Sequence, residues 1–326
     1  MNALRRSLLA VSLVGLVLAL VSIAPAAEKA AAEKAAPAAA AAPINVLIID
    51  GQNFHKWAET SPIIKEMLEK TGKFKVDILT SPPKGAAKEA WDKFKPDFTK
   101  YAVVLSNYSG DAWPEAVQKD FEKFVADGGG FVAYHFAVAG FEKWDAFNKM
   151  IGIGWRTGAG GANFGEGVYI NAEGKTMKRA KGEGTGSGHP AAHLFDCTVR
   201  DAGSPITKGL PEKWTHAKDE LYASLRGPVG DIHILVTAFA PKGPRDGQTG
   251  ENEPIAWTNT FSKGRIFVSV LGHEKDETRY PDTAILLMRG VEWAATGAVT
   301  LPVPADFPKL EAAPATPAAP KADAKK

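Results

Sequence analysis

Four runs of this 326-residue chain that read as buried strands end in residues able to do chemistry. The run 44–50 leads into Asp50-Gly51-Gln52-Asn53-Phe54-His55-Lys56-Trp57, and the run 101–105 into Ser106-Asn107-Tyr108-Ser109. The run 131–134 leads into His135-Phe136, and the run 265–271 into Gly272-His273-Glu274. Open α/β sheets bind ligands at the carboxyl ends of their strands. Three of the seven histidines, His55, His135 and His273, are therefore expected at one rim. An imidazole there exchanges protons near neutral pH or ligates a metal; each also reads as a buried histidine with a structural hydrogen bond. His135 is the strongest candidate, because a strand-to-helix turn presents its side chain to the pocket.

Other groups carry weaker signals. Asp219-Glu220-Leu221-Tyr222 places two carboxylates and a phenol at an expected strand start, where they suit general acid–base work or simply keep an edge soluble. His189 and His193 have the H-x3-H spacing of two ligands on one helix face. The preceding glycines and the lack of an HExxH glutamate favour a surface pair instead. Trp57, Trp113, Trp155 and Tyr108 could stack on a sugar ring or pack in the core. His216 and His233 carry no specific signal. The single cysteine, Cys197, excludes an intrachain disulfide and a cysteine-based zinc site, and reads as a small core residue.

The elements that must hold these groups alternate. After the strand at 44–50, Ser61-Pro62 opens a helix that stops at Gly72, and 75–79 is a second strand. Pro114 starts a helix that ends at Asp127-Gly128-Gly129-Gly130, just before the strand at 131–134. Alternation of this kind makes β-α-β units and a wound parallel sheet. Residues 152–190 are rich in glycine around one strand at 168–171. They do not join a buried strand to a helix start, so they read as a surface excursion rather than a phosphate loop. Strands follow at 195–200, 220–225, 232–239, 254–258 and 265–270, and a last helix at 283–295.

Arg5-Arg6, the apolar run 8–23 and Ala24-Pro25-Ala26 have the order of a secretory signal peptide, 1–26. The expected location is periplasmic or secreted; the alternative is a single uncleaved N-terminal membrane anchor, and with cleavage no stable membrane insertion is expected. Residues 27–43 and 305–326 are Ala-, Pro- and Lys-rich and read as flexible tethers around a domain at 44–304. The formal charge is +2, and the ends carry it, leaving the domain close to neutral. That argues against nucleic acid as a partner.

The segments Gly51-Gln-Asn-Phe-His-Lys-Trp57, Gly128-Gly-Gly-Phe-Val-Ala-Tyr-His135, Ser204-Pro-Ile-Thr-Lys-Gly-Leu-Pro211, Asp219-Glu-Leu-Tyr222, Pro254-Ile-Ala-Trp257 and Leu271-Gly-His273 together resemble the ThuA-like (trehalose utilisation) family. The resemblance runs in order over 44–297. It implies a class I glutamine amidotransferase-like fold: a flavodoxin-like, mostly parallel sheet with helices on both faces and extra strands in the second half. Amidotransferases carry a nucleophilic cysteine at the elbow, where this chain has His135, so thioester chemistry on glutamine is not available to it. The resemblance further implies a small-molecule saccharide partner, a disaccharide or a 3-keto derivative. It places His55, His135, Glu220 and His273 as catalytic groups, with Asp50, Trp57, Asn107, Tyr108 and Tyr222 as the substrate-binding set. No cofactor is specified; a divalent metal on His55, His135 and His273 is the candidate. The rival reading is a non-catalytic carbohydrate-binding or envelope-associated module. A nicotinamide oxidoreductase ranks last, since no G-x-G-x-x-G follows the first strand. Ser204 replaces a family histidine, and the glycine-rich segment is long for the family.

Overall fold

The computed structural model describes residues 42–310. The expected leader over 1–26, and most of the tethers over 27–43 and 305–326, lie outside the described residues. The strands are β1 (Ile44–Asp50), β2 (Phe74–Thr80), β3 (Val103–Ser106), β4 (Gly130–Tyr134), β5 (Gly167–Ile170), β6 (Thr176–Arg179), β7 (His193–Val199), β8 (Lys213–Asp219), β9 (His233–Phe239), β10 (Asn252–Phe261) and β11 (Gly264–Ser269). The helices are α1 (Trp57–Lys70), α2 (Lys88–Trp91), α3 (Glu115–Ala126), α4 (Asp145–Ile151), α5 (Gly158–Gly161), α6 (Lys275–Arg279) and α7 (Pro281–Thr296).

The sheet runs β2-β1-β3-β4-β11-β10-β9-β7-β8, with the β5–β6 hairpin attached to β10. Its first five members pair in parallel. This is the expected flavodoxin-like order, with β11 as its fifth strand. From β10 outward the neighbours are antiparallel and make the extension. The inner strands β3 and β4 are buried at every position, as strands covered on both faces are, whereas the edge strand β2 exposes Lys75 and Asp77. At Gly130 an added Cβ would meet the Ala294 backbone of α7 at 2.6 Å. The ring of the next residue, Phe131, packs on Phe121 of α3 and Phe147 of α4. Adjacent strand residues point to opposite faces, so α7 covers one face and α3 with α4 the other.

Three local expectations need correction. First, α1 begins at Trp57, not at Ser61-Pro62, so Pro62 lies inside it. The N–H groups of Glu59 and Thr60 bond to the Lys56 carbonyl and start the helix one turn earlier. Second, 220–225 is not a strand. The strand ends at Asp219, whose carboxylate accepts the Glu220 N–H at 2.7 Å and turns the chain. Third, the glycine-rich segment is only in part a surface excursion. Residues 181–185 are exposed, but 186–188 are buried, because Gly154 pairs with Arg226 and Gly188 with Ala223. Among the described residues no helix is long and apolar enough to cross a membrane.

Candidate active site

The parallel strands deliver their carboxyl ends to one rim, and the loops beyond them converge on Glu220. The His55 loop leaves β1 and is pinned by its own turn: Asn53 Oδ1 accepts the His55 N–H at 3.0 Å, and Asn53 Nδ2 donates to Asn107 Oδ1 at 3.1 Å. Asn107 in turn donates to Thr60 and Ser61 of α1. His135 follows β4 with φ of 48°, a left-handed conformation that costs roughly 1–2 kcal/mol for a residue with a Cβ. Such strain persists where the surroundings over-determine it, commonly at functional sites. His273 follows β11 through Gly272, whose φ is 99° and whose added Cβ would strike the Tyr134 hydroxyl. The Gly272 and His273 N–H groups both donate to the Asp219 carboxylate.

Four imidazoles surround one carboxylate. Glu220 Oε1 lies 3.5 Å from His189 Nε2 and 3.5 Å from His273 Nε2. Glu220 Oε2 lies 3.9 Å from His135 Nε2 and 4.0 Å from His55 Nε2. Oε2 is buried without a hydrogen-bond partner. Burial raises the Glu220 pKa, against the pull of His189 and His273. Burial, reinforced by the neighbouring imidazoles, pushes His55 down to about 3. It holds His135 at about 4, although Asp219 and the Val270 carbonyl pull the other way. Both rings are therefore neutral at pH 7.

The tautomer of His135 follows from its partners. Nδ1 lies 2.8 Å from the Val270 carbonyl, which can only accept, so Nδ1 carries the proton. Nε2 then accepts from the Tyr222 hydroxyl at 3.0 Å. That commits the one phenolic hydrogen and leaves the oxygen lone pairs facing His55 Nε2, 3.2 Å away. Burial, with Glu220 and Asp219 close by, puts the Tyr222 pKa well above 10 and keeps the phenol protonated.

A cavity of about 270 Å³ opens on this cluster, lined by Phe54, His55, Phe136, Trp155, His189, Glu220 and Tyr222. Larger hollows lie against the start of β4 (about 640 Å³) and between α1 and α7 (about 560 Å³), and no histidine lines either. The polar groups of the small cavity, walled by three aromatic rings, suit it to a flat polar ring with exchangeable protons.

The residues expected from the sequence divide. His55, Glu220 and Tyr222 line the cavity, and His273 stands against Glu220 from the β11 loop. His135 is only 2% exposed and reaches the cavity through Tyr222, not with its own ring. It also leaves the expected metal trio, since both its nitrogens are engaged; the trio whose donor atoms do converge, all within 4.8 Å, is His55, Glu220 and His273. Asp50 and Asn107 do not line the cavity. They are buried and tie loops together, Asp50 by accepting from Thr80 at 2.7 Å. Tyr108 belongs to the aromatic core with Phe141 and Trp113. Trp57 opens α1, half-buried and outside the cavity lining. Of the other tryptophans, Trp155 forms a cavity wall and Trp113 packs in the core. Cys197 is buried in β7, where burial pushes its thiol well up and away from reactivity.

His189, read from the sequence as half of a surface pair, instead lines the cavity beside Glu220. Its H-x3-H partner, His193, begins β7 and packs on Phe195. On non-helical chain the four-residue spacing separates the rings instead of pairing them.

Comparison with known proteins follows the same lines. The model of the ThuA family, described as trehalose utilisation, matches residues 45–294. A solved ThuA-like protein of Parabacteroides merdae is 40% identical with a TM-score of 0.75, covering 82% of this chain and 95% of its own. A second, from Bacteroides uniformis, is 20% identical with a TM-score of 0.55, covering 81% and 98%, and shows the fold alone. No curated protein matches the chain.

Proposed function

The chain belongs to the ThuA family, and from that premise we propose that it acts on a disaccharide or a keto-sugar derivative by histidine- and tyrosine-based proton transfer. The observation that carries the reading is the cavity itself: Glu220 ringed by four imidazoles, with Tyr222 bridging His135 and His55. A carbonyl in a sugar ring acidifies the C–H beside it, and a positioned imidazole or carboxylate can remove that proton. His189 supports this role. Its Nδ1 donates to the Pro190 carbonyl at 2.8 Å, so in the neutral ring Nε2 offers a lone pair on the side of Glu220 and the cavity. Tyr222 becomes the matching donor when its hydroxyl hydrogen turns from His135 Nε2 to a substrate oxygen that gains charge. Phe54, Phe136 and Trp155 would hold the sugar by its apolar face. Isomerisation and elimination both need only these groups.

The test is turnover by the full chain of trehalose, other disaccharides and their 3-keto derivatives, with products separated chromatographically. Consumption of a keto-sugar, slowed about 100-fold or more in Tyr222→Phe, is expected. Sugar binding without consumption of any member would leave a carbohydrate-binding module. Export of the protein through residues 1–26 belongs to the same proposal, and the mass of the mature chain recovered from cells tests it.

A further inference from the structure

We propose that His55, Glu220 and His273 hold one divalent transition-metal ion on the floor of the cavity, with His189 beside the position left open for substrate. The ion's role, though not its presence, rests on the reading of this cavity as a sugar site.

Three observations carry it. The donors come from three separate loops, after β1, β8 and β11, yet their ligand atoms lie within 4.8 Å of one another. The separations of 3.5 Å from His273 Nε2 to Glu220 Oε1 and 4.0 Å from His55 Nε2 to Glu220 Oε2 are too long for good hydrogen bonds. They suit two ligands that share an ion about 2 Å from each, for which roughly 3–4 Å is expected. Finally, Glu220 Oε2 is buried with no hydrogen-bond partner, and no lysine or arginine lines the cavity to balance the carboxylate. A buried carboxylate oxygen without a hydrogen-bond partner is costly, and a cation removes that cost.

The surroundings are those of a ligand set held in place. Asp219 accepts the backbone N–H groups of Glu220, Gly272 and His273, fixing two of the three ligand backbones from beneath, as outer-shell carboxylates do. Two imidazoles and one carboxylate leave open coordination positions. There an ion could polarise a sugar carbonyl or adjacent hydroxyl pair.

The experiment is elemental analysis of the tag-free full chain purified without chelator. Equilibrium dialysis of the stripped protein against Zn²⁺, Mn²⁺ and Co²⁺ follows, with no sugar present. About one equivalent of ion is expected, with affinity reduced tenfold or more in Glu220→Gln and in His55→Ala and unchanged in His233→Ala. Glu220→Gln conserves shape and His55 sits on a different loop, so one folded variant suffices. A folded wild-type chain that binds none of the three ions overturns the proposal, as does binding that both variants leave intact. Metal bound without sugar turnover upholds the site and contradicts the proposed function; undiminished turnover by the stripped chain upholds the function and contradicts the ion's role in it, while the dialysis alone decides the site.

Discussion

Phe54 projects its ring at the mouth of the cavity with 86% of its surface open to water. It touches the His55 and Phe136 rings edge-on or tilted, too little to matter for folding. Phe54→Ala is therefore expected to change stability by no more than about 0.5 kcal/mol while raising KM for the sugar several-fold and leaving kcat nearly unchanged. A thermal melt and a saturation curve check both halves. Tyr222→Phe removes one oxygen and should do the converse, lowering kcat with little change in KM. At this scale the sequence showed the strand-end histidines, because their position after apolar runs is a local pattern, and it showed Glu220 through the Asp219-Glu-Leu-Tyr222 segment, read at a strand start. His189 was hidden because only the pairing of Gly188 with Ala223 brings it to Glu220, and no local pattern encodes a bridge 35 residues long. The burial of His135 was hidden for the same reason: it depends on the Val270 carbonyl and Tyr222, both distant in the chain.

Among elements, β8 and α7 form the support of the site. His216 of β8 lies between Asp282 of α7, at 2.8 Å, and Asp219 at the end of its own strand, at 3.0 Å. Trp214 also donates to Asp282. Burial works against the charged ring, but the two carboxylates outweigh it and raise His216 to about 9. The same interaction, seen from Asp219, outweighs its burial and holds it at about 2, and is not a second contribution. A histidine whose pKa is raised on folding stabilises fully below its unfolded value of about 6.5, and that stability is lost as pH rises through 9. On the order of 3 kcal/mol is at stake. The wild-type melting temperature should thus fall between pH 6.5 and 9, and His216→Asn should be less stable at pH 6 with the slope over that range flattened. An unchanged slope in a folded variant would remove His216 as its source. The polarity of this support also explains why β8 escaped sequence reading. Its buried positions are Trp214, Thr215, His216 and Asp219, which carry no apolar alternation. The apolar stretch just after it, including Leu221, Ala223 and Leu225, is buried as loop against the glycine-rich segment and so looked like the strand.

At the largest scale, residues 42–310 form a five-stranded parallel wound sheet extended by antiparallel strands on one side. The parallel half was legible because strands buried on both faces are continuous apolar runs punctuated by Gly and Pro. The order of the extension was not, since β9, β10 and β7 are joined by long connections whose pairing is settled by packing. Only this assembly brings β1, β4, β8 and β11 ends together, so the account's central claim is that their meeting point moves protons on a sugar. If export through residues 1–26 holds, protein recovered from the periplasm or medium should begin at Ala27; a chain retaining Met1 in the membrane fraction would favour the anchor. The direct measurement for the central claim is proton exchange: a keto-disaccharide incubated with the full chain in deuterated water and followed by NMR. The account predicts loss of the proton signal on the carbon beside the carbonyl, abolished in His189→Ala and strongly slowed in Glu220→Gln. A folded chain that binds the sugar and leaves every carbon-bound proton in place would contradict it.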